Sequence, residues 1–352
     1  MIKDDPSLLA LMMDDELRQP AIYRPGPYWR VYQRRVMRAI ARHGIADFRS
    51  RPAVAKGFAD VVRKDPRDAW IEQDAIRRQL KTLLARLPLI SGMLDDAATI
   101  LRSHLAQLER WRDGYYRAQF GDLVRSAVAR GAMRDTTVGA CEELVHIDGQ
   151  AYSRLYVDFL ARIHNFGLHT DFSRMRTALE IGGGFGAWLH LMHQLYPNIR
   201  KFVYLDIPPM IYIGTEYLRH FYGDAVRDYR ALRSQERLGF RNDDALEILC
   251  ICPWQIEQFD TSIDLLWNTG SFSEMTPEIV ANYSRNVQRV LRPDTGVACL
   301  MMNKRTPHAS LRISMPDEVL DAFQGLSFER FAPEIEHEFH GTYAIGRPTR
   351  RS

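Results

Sequence analysis

The sequence predicts an α/β fold of the Rossmann-like type, with a mostly parallel sheet, an antiparallel edge and a helical domain before it. Apolar residues recur at helical spacing through the first 135 positions, and from about residue 177 short apolar runs alternate with helical stretches. A glycine-rich turn at residues 182–186 joins one such run to a helix. A chain of 352 residues is long enough for about two domains. We expect a helical domain over residues 1–135 and an α/β domain over residues 136–352.

Composition excludes several classes of protein. Lys and Arg number 47 against 44 Asp and Glu, so the net charge is only +3, and neither the 22 Gly nor the 17 Pro indicate a low-complexity chain. Four cysteines are too few for a disulfide scaffold. The N-terminus suits neither a secretory signal nor a transit peptide, and no run approaches the roughly 18 apolar residues that span a bilayer. These features predict a cytoplasmic protein without a membrane partner.

The helical half carries two apolar stripes. One helix is expected to begin at Asp65 and Pro66 and to stop at Pro88, and a second stripe runs from Ile100 to Trp111. Such stripes are typical of a core or a dimer interface, so these helices could pair two subunits.

A basic stretch lies in the same half. Arg24 to Lys64 contains eleven basic and two acidic residues, and Arg34, Arg38 and Arg42 would share one helical face. A solvated face is the simpler interpretation, although a site for an anionic substrate or nucleic acid stays open. The nearly neutral chain and the lack of a nucleic-acid motif argue against the latter.

The second half contains five candidate strands and one clear helix. The helix begins at Thr276 to Glu278 and closes near Leu291, and the C-terminal stretch from Phe328 to Pro348 alternates like an antiparallel pair at a sheet edge. The predicted strands are Thr177 to Ile181, Phe202 to Leu205, Leu246 to Cys252, Ile263 to Trp267 and Val297 to Met302.

The strongest chemical signal is the segment Ala178 to Gly186 (ALEIGGGFG). Gly182, Gly183, Gly184 and Gly186 allow positive φ and let a ligand lie against exposed backbone N–H groups. A nucleoside cofactor is therefore expected at the carboxyl ends of the strands. The glycines alone fit a dinucleotide as well.

Glu180 favours a different cofactor. A carboxylate at the strand end can hold the amino group of a zwitterionic ligand, whereas it would repel a pyrophosphate. The pattern Glu-x-Gly-x-Gly-x-Gly resembles the first motif of class I S-adenosylmethionine-dependent methyltransferases, which implies that cofactor and the Rossmann-like class I methyltransferase fold.

Further cofactor contacts are expected after the second and third strands. Asp206 ends the second strand, and its carboxylate can accept hydrogen bonds from both ribose hydroxyls; as an alternative it caps the turn before Pro208. Trp254 and Gln255 follow the third strand, where Trp254 could stack on the adenine and Gln255 could bind its edge.

The segment Asn268 to Met275 (NTGSFSEM) follows the fourth strand, where the substrate must meet the methyl group. Together with LEIGGGFG and YLDIPP it resembles a family of sugar O-methyltransferases, and Asn303 matches a later Asn of that family. His146 to Leu155 resembles the family's entry into its catalytic domain. The likeness covers roughly residues 140–305 and implies a small-molecule acceptor that is a sugar or a glycosylated natural product.

A base would help to deprotonate a sugar hydroxyl. Glu274 is the first candidate, with His308 second and His146 third. Asn268, Ser271 and Asn303 suit hydrogen bonds to the cofactor or the acceptor, because neither an amide nor an unactivated hydroxyl is a base at neutral pH. No close-spaced His, Asp and Glu trio predicts a metal, although scattered ligands such as Asp206, Asp244 and Glu274 leave that alternative open.

Three other functions stay open. The acceptor could be a nitrogen or a phenol of secondary metabolism. An NAD(P)-dependent oxidoreductase would use the same glycine turn, and Glu180 argues against it. A non-catalytic assembly protein could retain the fold and use the basic stretch as its contact surface.

Overall fold

The computed structural model describes residues 2–55, 58, 76, 79–83, 95–303, 313–336 and 341–349. The expected helix from Asp65 to Leu87 lies outside these residues apart from Ile76 and residues 79–83. In the basic stretch, Lys56, Arg63 and Lys64 also lie outside.

The described N-terminal residues are helical, as predicted. Asp5 caps the first helix by accepting a hydrogen bond from the Leu8 N–H at 3.1 Å, and Pro6 occupies its first turn. The second helix ends at Gly44, which adopts a φ of +65°. The helices are α1 (Pro6–Glu16), α2 (Pro27–His43), α3 (Pro52–Ala55) and α4 (Asp95–Ala129).

These helices share a hydrophobic core with the rest of the chain. Phe48 and Phe58 pack edge-on against Phe185, with ring centroids 5.2 and 5.0 Å apart. Asp15 of α1 is buried and accepts a hydrogen bond from the Tyr229 hydroxyl at 2.8 Å. Residues before the expected boundary near position 135 therefore pack directly on the α/β region.

A hairpin and a helix lead into the main sheet. Strands β1 (Leu144–Ile147) and β2 (Gln150–Ser153) pair antiparallel around Asp148 and Gly149, which have φ of 52° and 79°. Two positive φ values at the turn are typical of tight hairpins. Helix α5 (Arg154–Gly167) follows directly.

The main sheet has eight strands in the order β5-β6-β4-β3-β7-β8-β10-β9. The first six are parallel, and β10 runs antiparallel to both β8 and β9. This arrangement confirms the predicted α/β class and its antiparallel edge. The strands are β3 (Thr177–Ile181), β4 (Lys201–Leu205), β5 (Val226–Arg227), β6 (Glu247–Ile251), β7 (Leu265–Thr269), β8 (Val297–Asn303), β9 (Leu326–Phe331) and β10 (Gly341–Pro348).

The fourth predicted strand is displaced by two residues, because Asp264 acts as a local cap. Its Oδ2 accepts backbone hydrogen bonds from Arg176 and Thr177 at 2.7 and 3.0 Å, so regular pairing begins at Leu265. The shift carries Asn268 and Thr269 into the strand.

Helices connect the strands and cover the sheet. Pro277 opens the helix after β7, as its position after Thr276 predicts, and the helix ends at Val290. These helices are α6 (Ala187–Leu195), α7 (Met210–Tyr222), α8 (Tyr229–Leu232), α9 (Pro277–Val290) and α10 (Pro316–Ala322). Within the described ranges, no helix has both the length and the apolar character to cross a membrane.

Candidate active site

A cavity opens at the carboxyl ends of β3, β4, β7 and β8, the edge at which ligands bind in open α/β sheets. The strands and their following turns form its floor, and α2 and α5 supply side chains to its walls. Of the predicted site residues, the following line this cavity: Glu180, Gly182, Gly183, Gly184, Asp206, Ser271, Glu274 and Asn303.

The glycine turn leaves no room for side chains at two positions. A Cβ at Gly183 would lie 2.6 Å from Glu180 Oε2, and a Cβ at Gly182 would overlap the side chain of Ser271. Gly182, Gly184 and Gly186 also have φ of 72°, 63° and 86°, which side-chain-bearing residues rarely adopt. Glycine is therefore required for the backbone to pass this closely over Glu180.

Glu180 is a buried carboxyl with an unused acceptor. It is 3% exposed, and its Oε2 accepts no hydrogen bond from any residue in the described ranges. Desolvation, followed by the nearby charge of Asp206, raises the pKa of Glu180 well above its usual value. A cationic ligand group would both supply the missing donor and favour the ionised form.

Asp206 holds the glycine turn against the end of β4. Its Oδ2 accepts a hydrogen bond from the Gly184 N–H at 2.8 Å, and its Oδ1 accepts one from the Ile207 N–H at 2.7 Å. Burial raises its pKa to about 7 in spite of these bonds, and the charge of Glu274 acts in the same direction. Each carboxylate oxygen keeps a second lone pair for a ligand hydroxyl.

Polar side chains after β7 tie that strand to the glycine turn. Asn268 Nδ2 donates to the Ile181 carbonyl at 2.8 Å and to Ser271 Oγ at 2.6 Å, so this predicted cofactor contact lies beneath the turn. Asn303 ends β8, and its buried Oδ1 accepts no hydrogen bond among the described residues. The unused acceptor of Asn303 is thus available to a hydroxyl group in the cavity.

Glu274 lies at the cavity wall beside α2. The indole N–H of Trp29 donates to Glu274 Oε2 at 2.9 Å, across 245 residues of sequence. Tyr28 and Tyr32 flank Trp29, with ring centroids 5.8 and 5.7 Å from it, and line the same cavity. An aromatic wall from the N-terminal half therefore faces the candidate base.

Other predicted residues lie elsewhere. His146 is on β1, where its Nδ1 pairs with Asp113 Oδ2 at 3.0 Å, and His308 lies outside the described residues.

The two predicted adenine contacts bind other parts of the protein. Trp254 donates its indole N–H to the Tyr229 hydroxyl at 3.1 Å, and the buried Gln255 accepts a hydrogen bond from the Cys252 N–H at its Oε1, at 3.0 Å. His146, Trp254 and Gln255 are not among the residues that line the cavity. Gly186 caps α6 and packs against Leu218.

The cavity residues that sequence reasoning missed include Trp29, Phe58 and Arg162. Trp29 lies in the aromatic cluster Tyr28-Trp29-Tyr32 at the start of α2, a pattern that could have drawn attention to it. Arg162 is a basic residue among the mostly apolar buried residues of α5, which was the available signal.

The arginines of the predicted basic face are not among the residues that line the cavity. Arg34, Arg38 and Arg42 lie exposed on α2. Among the residues that the structure describes, no group of three His, Cys, Asp or Glu side chains could hold a metal ion.

No protein-family model matches the sequence, and no curated protein matches it. Solved structures with a similar arrangement include the mitomycin 7-O-methyltransferase MmcR, at 15% identity over 98% of this chain and 99% of that one, with a TM-score of 0.35. The human N-acetylserotonin methyltransferase is 11% identical over 81% of this chain and 96% of its own, with a TM-score of 0.40. The pyocyanin biosynthetic protein PhzM is 12% identical over 91% and 96%, with a TM-score of 0.39.

Proposed function

We propose that this protein is an S-adenosylmethionine-dependent methyltransferase that methylates a hydroxyl group of a sugar or of a glycosylated natural product. The observation that carries the proposal is the buried Oε2 of Glu180, which lies at the glycine turn in the cavity and has no hydrogen-bond partner among the described residues. A buried acceptor of this kind calls for a positively charged donor.

The cofactor fits the groups around the turn. Glu180 would bind its amino group, Asp206 would accept hydrogen bonds from its ribose hydroxyls, and the backbone from Gly182 to Gly184 would lie against it. A dinucleotide would instead bring a pyrophosphate to Glu180, and like charges repel there. When bound, S-adenosylmethionine supplies a methyl group on a positively charged sulfur, ready for displacement by a nucleophile.

The chain's own residues would orient the acceptor and take its proton. Glu274 lines the cavity and would accept the proton of the acceptor hydroxyl, while the Trp29 N–H holds its carboxylate in place. Asn303 would offer a second hydroxyl its Oδ1, which accepts no hydrogen bond within the part of the chain that the structure describes. A polyhydroxylated acceptor would suit these acceptor atoms, and the resemblance of the segment Asn268 to Met275 favours a sugar.

Calorimetry with S-adenosylhomocysteine, the demethylated cofactor, tests the proposal. Wild type should bind it, and Gly184→Val and Asp206→Ala should lose binding. NADH, which would quench tryptophan fluorescence in a dinucleotide-binding protein, should have no effect. Absence of S-adenosylhomocysteine binding by wild type, or binding of NADH in its place, would contradict the proposal.

The role of Glu274 needs a separate experiment. Glu274→Gln should lower the rate of methyl transfer by about 10²- to 10⁴-fold, the usual contribution of a general base. At pH 8.5, where Asp206 is ionised in both proteins, its affinity for S-adenosylhomocysteine should stay unchanged, because Glu274 is assigned to the acceptor. An unchanged rate would point to an acceptor that needs no base, such as an amine.

Two sequence-based expectations stay proposals: a cytoplasmic location, and a homodimer that forms through the N-terminal helices. Light scattering of the purified protein tests the second, and a monomer at all concentrations would contradict it.

A further inference from the structure

Three aromatic side chains of α2 form one wall of the cavity. Tyr28, Trp29 and Tyr32 line it, and each of them is only partly buried. Their ring centroids lie 5.2 to 5.8 Å apart, and the planes of each pair are inclined by 40° to 81°. These three rings, the aromatic wall, therefore touch one another without stacking, and part of their apolar surface stays open to the cavity.

Helix α5 adds apolar side chains to the same cavity. Leu155 and Phe159 lie one turn apart on this helix, line the cavity and are partly exposed. The basic residue of α5 that lines the cavity, Arg162, lies at the end of a strand, where its Nη1 is 3.3 Å from Thr269 Oγ1. Apolar surface that remains accessible to water in a concave site is typical of a ligand-binding site.

The polar groups assigned to the acceptor lie in a different part of the cavity lining. Glu274 follows β7 and Asn303 ends β8, so both belong to the ends of the strands, whereas the aromatic wall belongs to a helix. A free sugar carries hydroxyl groups around its whole ring, and those that met the aromatic wall would lose hydrogen bonds to water. This division of the lining suits a ligand with a polar part and an apolar part.

Trp29 brings the two parts of the lining together. Its indole N–H is the only polar group of the ring, and it donates to Glu274 Oε2 at 2.9 Å. A hydroxyl group that donates to the same carboxylate would lie about 2.7 Å from one of its oxygens. The part of the acceptor next to that hydroxyl would therefore lie beside the indole, whose remaining atoms offer apolar contact.

We propose that the methyl acceptor is a glycoside with an aromatic aglycone, which packs on the aromatic wall while a sugar hydroxyl reaches Glu274. This inference rests on the proposed methyltransferase function, and it chooses the glycosylated natural product over the free sugar. An aromatic aglycone is favoured over an aliphatic one, because it gains offset or edge-to-face contacts with the wall in addition to burial.

Calorimetry with matched glycosides tests the proposal. The protein is saturated with S-adenosylhomocysteine at pH 8.5 and titrated with the phenyl, cyclohexyl and methyl β-D-glucopyranosides, and with the same three β-D-galactopyranosides. In at least one sugar series, the phenyl glycoside should bind at least about tenfold more tightly than the methyl glycoside, because its ring is buried. It should also bind about 2- to 10-fold more tightly than the cyclohexyl glycoside, which has the apolar area but no aromatic ring.

Variants of the aromatic wall test whether this preference arises there. Tyr32→Leu and Trp29→Leu should reduce the preference for phenyl over cyclohexyl to less than about twofold, whereas Trp29→Phe, which keeps a ring, should retain it. Trp111→Leu is the matched control, because Trp111 is 41% exposed and its ring lies 6.2 Å from that of Tyr115, but it does not line this cavity. An affinity for S-adenosylhomocysteine within about twofold of wild type shows that each variant is folded.

The comparison within wild type requires no variant to fold. Equal affinities of the phenyl glycoside and either of its counterparts in both sugar series, or no binding of either phenyl glycoside, would overturn the proposal. A phenyl preference that persists unchanged in both leucine variants would overturn it as well. Phenol binding as tightly as the phenyl glycosides would also contradict it, because the sugar would then contribute nothing. Failure of wild type to bind S-adenosylhomocysteine would instead sink the proposed function, so the two failures are distinguishable.

Discussion

Protonation of Asp206 should control the affinity for S-adenosylhomocysteine. In the ligand-free protein its pKa is raised to about 7, so near neutrality the side chain is divided between carboxyl and carboxylate. The carboxylate can accept hydrogen bonds from both ribose hydroxyls as well as from the Gly184 and Ile207 N–H groups, whereas the protonated form has one acceptor fewer. Ligand binding therefore favours the ionised form and releases a proton.

The size of the effect follows from the pKa. With a value of about 7, the carboxylate fraction is about 9% at pH 6 and about 91% at pH 8. Because only that fraction binds the ribose fully, the dissociation constant should fall about tenfold between these pH values and change little above pH 8. The ionisation of Asp206 should contribute about one released proton per ligand bound at pH 6.

Calorimetry at pH 6 to 8.5, in phosphate and in Tris, measures both quantities, because the two buffers differ in their enthalpy of ionisation. Asp206→Asn is the matched control: it should bind no more tightly than wild type does at pH 6 and at least about tenfold more weakly than wild type at pH 8, and its affinity should depend less on pH. A wild-type affinity that does not vary with pH, or a variation that persists unchanged in Asp206→Asn, would refute this role of Asp206.

Three further predictions concern the same turn. Glu180→Gln should weaken S-adenosylhomocysteine about 10- to 100-fold, as expected for a charged hydrogen bond, and leave 5′-methylthioadenosine unchanged in calorimetry; equal losses would contradict the assignment. Gly182→Ala should lower the free energy of unfolding in urea by about 1–3 kcal/mol, because its Cβ meets Ser271 at a φ of 72°, and Ser271→Gly should restore part of the loss. The pKa of Asp206 in the folded protein lies above its ordinary 3.8, so the native state binds a proton more tightly than the unfolded state between pH 3.8 and about 7. The free energy of unfolding of the protein without ligand, measured in urea, should therefore fall by at most about 4 kcal/mol as the pH rises through that range. Asp206→Asn should flatten this dependence, and a wild-type stability that rises with pH there would contradict it.

The sequence predicted the sheet well because its central strands are buried on both faces. Residues 177–181 are all buried, so the strand appears as an uninterrupted apolar run apart from Glu180. Short elements left no such signal. Strand β5 has only two residues, and the hairpin of β1 and β2 depends on a turn at Asp148 and Gly149.

The same distinction applies to the predicted site residues: local sequence predicts the positions of some of them and not of others. Residues that directly follow a strand, such as Asp206, reach the cavity because strand polarity fixes where they lie. Trp29 and Glu274 meet across 245 residues, a contact that no local pattern encodes. Trp254 follows a strand too, yet its indole N–H binds Tyr229, since the local packing decides the side-chain direction.

Proton release also distinguishes the two classes of cofactor that fit the glycine turn, S-adenosylmethionine and a dinucleotide. Burial raises the pKa values of both Glu180 and Asp206, so the turn without a ligand holds more protons than two exposed carboxyl groups would. A cationic amino group at Glu180 stabilises its carboxylate and expels a proton, whereas a pyrophosphate at the same place would stabilise the protonated carboxyl and retain it. The part of the proton exchange that is lost in Glu180→Gln therefore reports the charge of the group bound there, independently of affinity. Loss of proton release in this variant is expected for a sulfonium nucleoside, and loss of proton uptake would identify an anionic ligand at the turn.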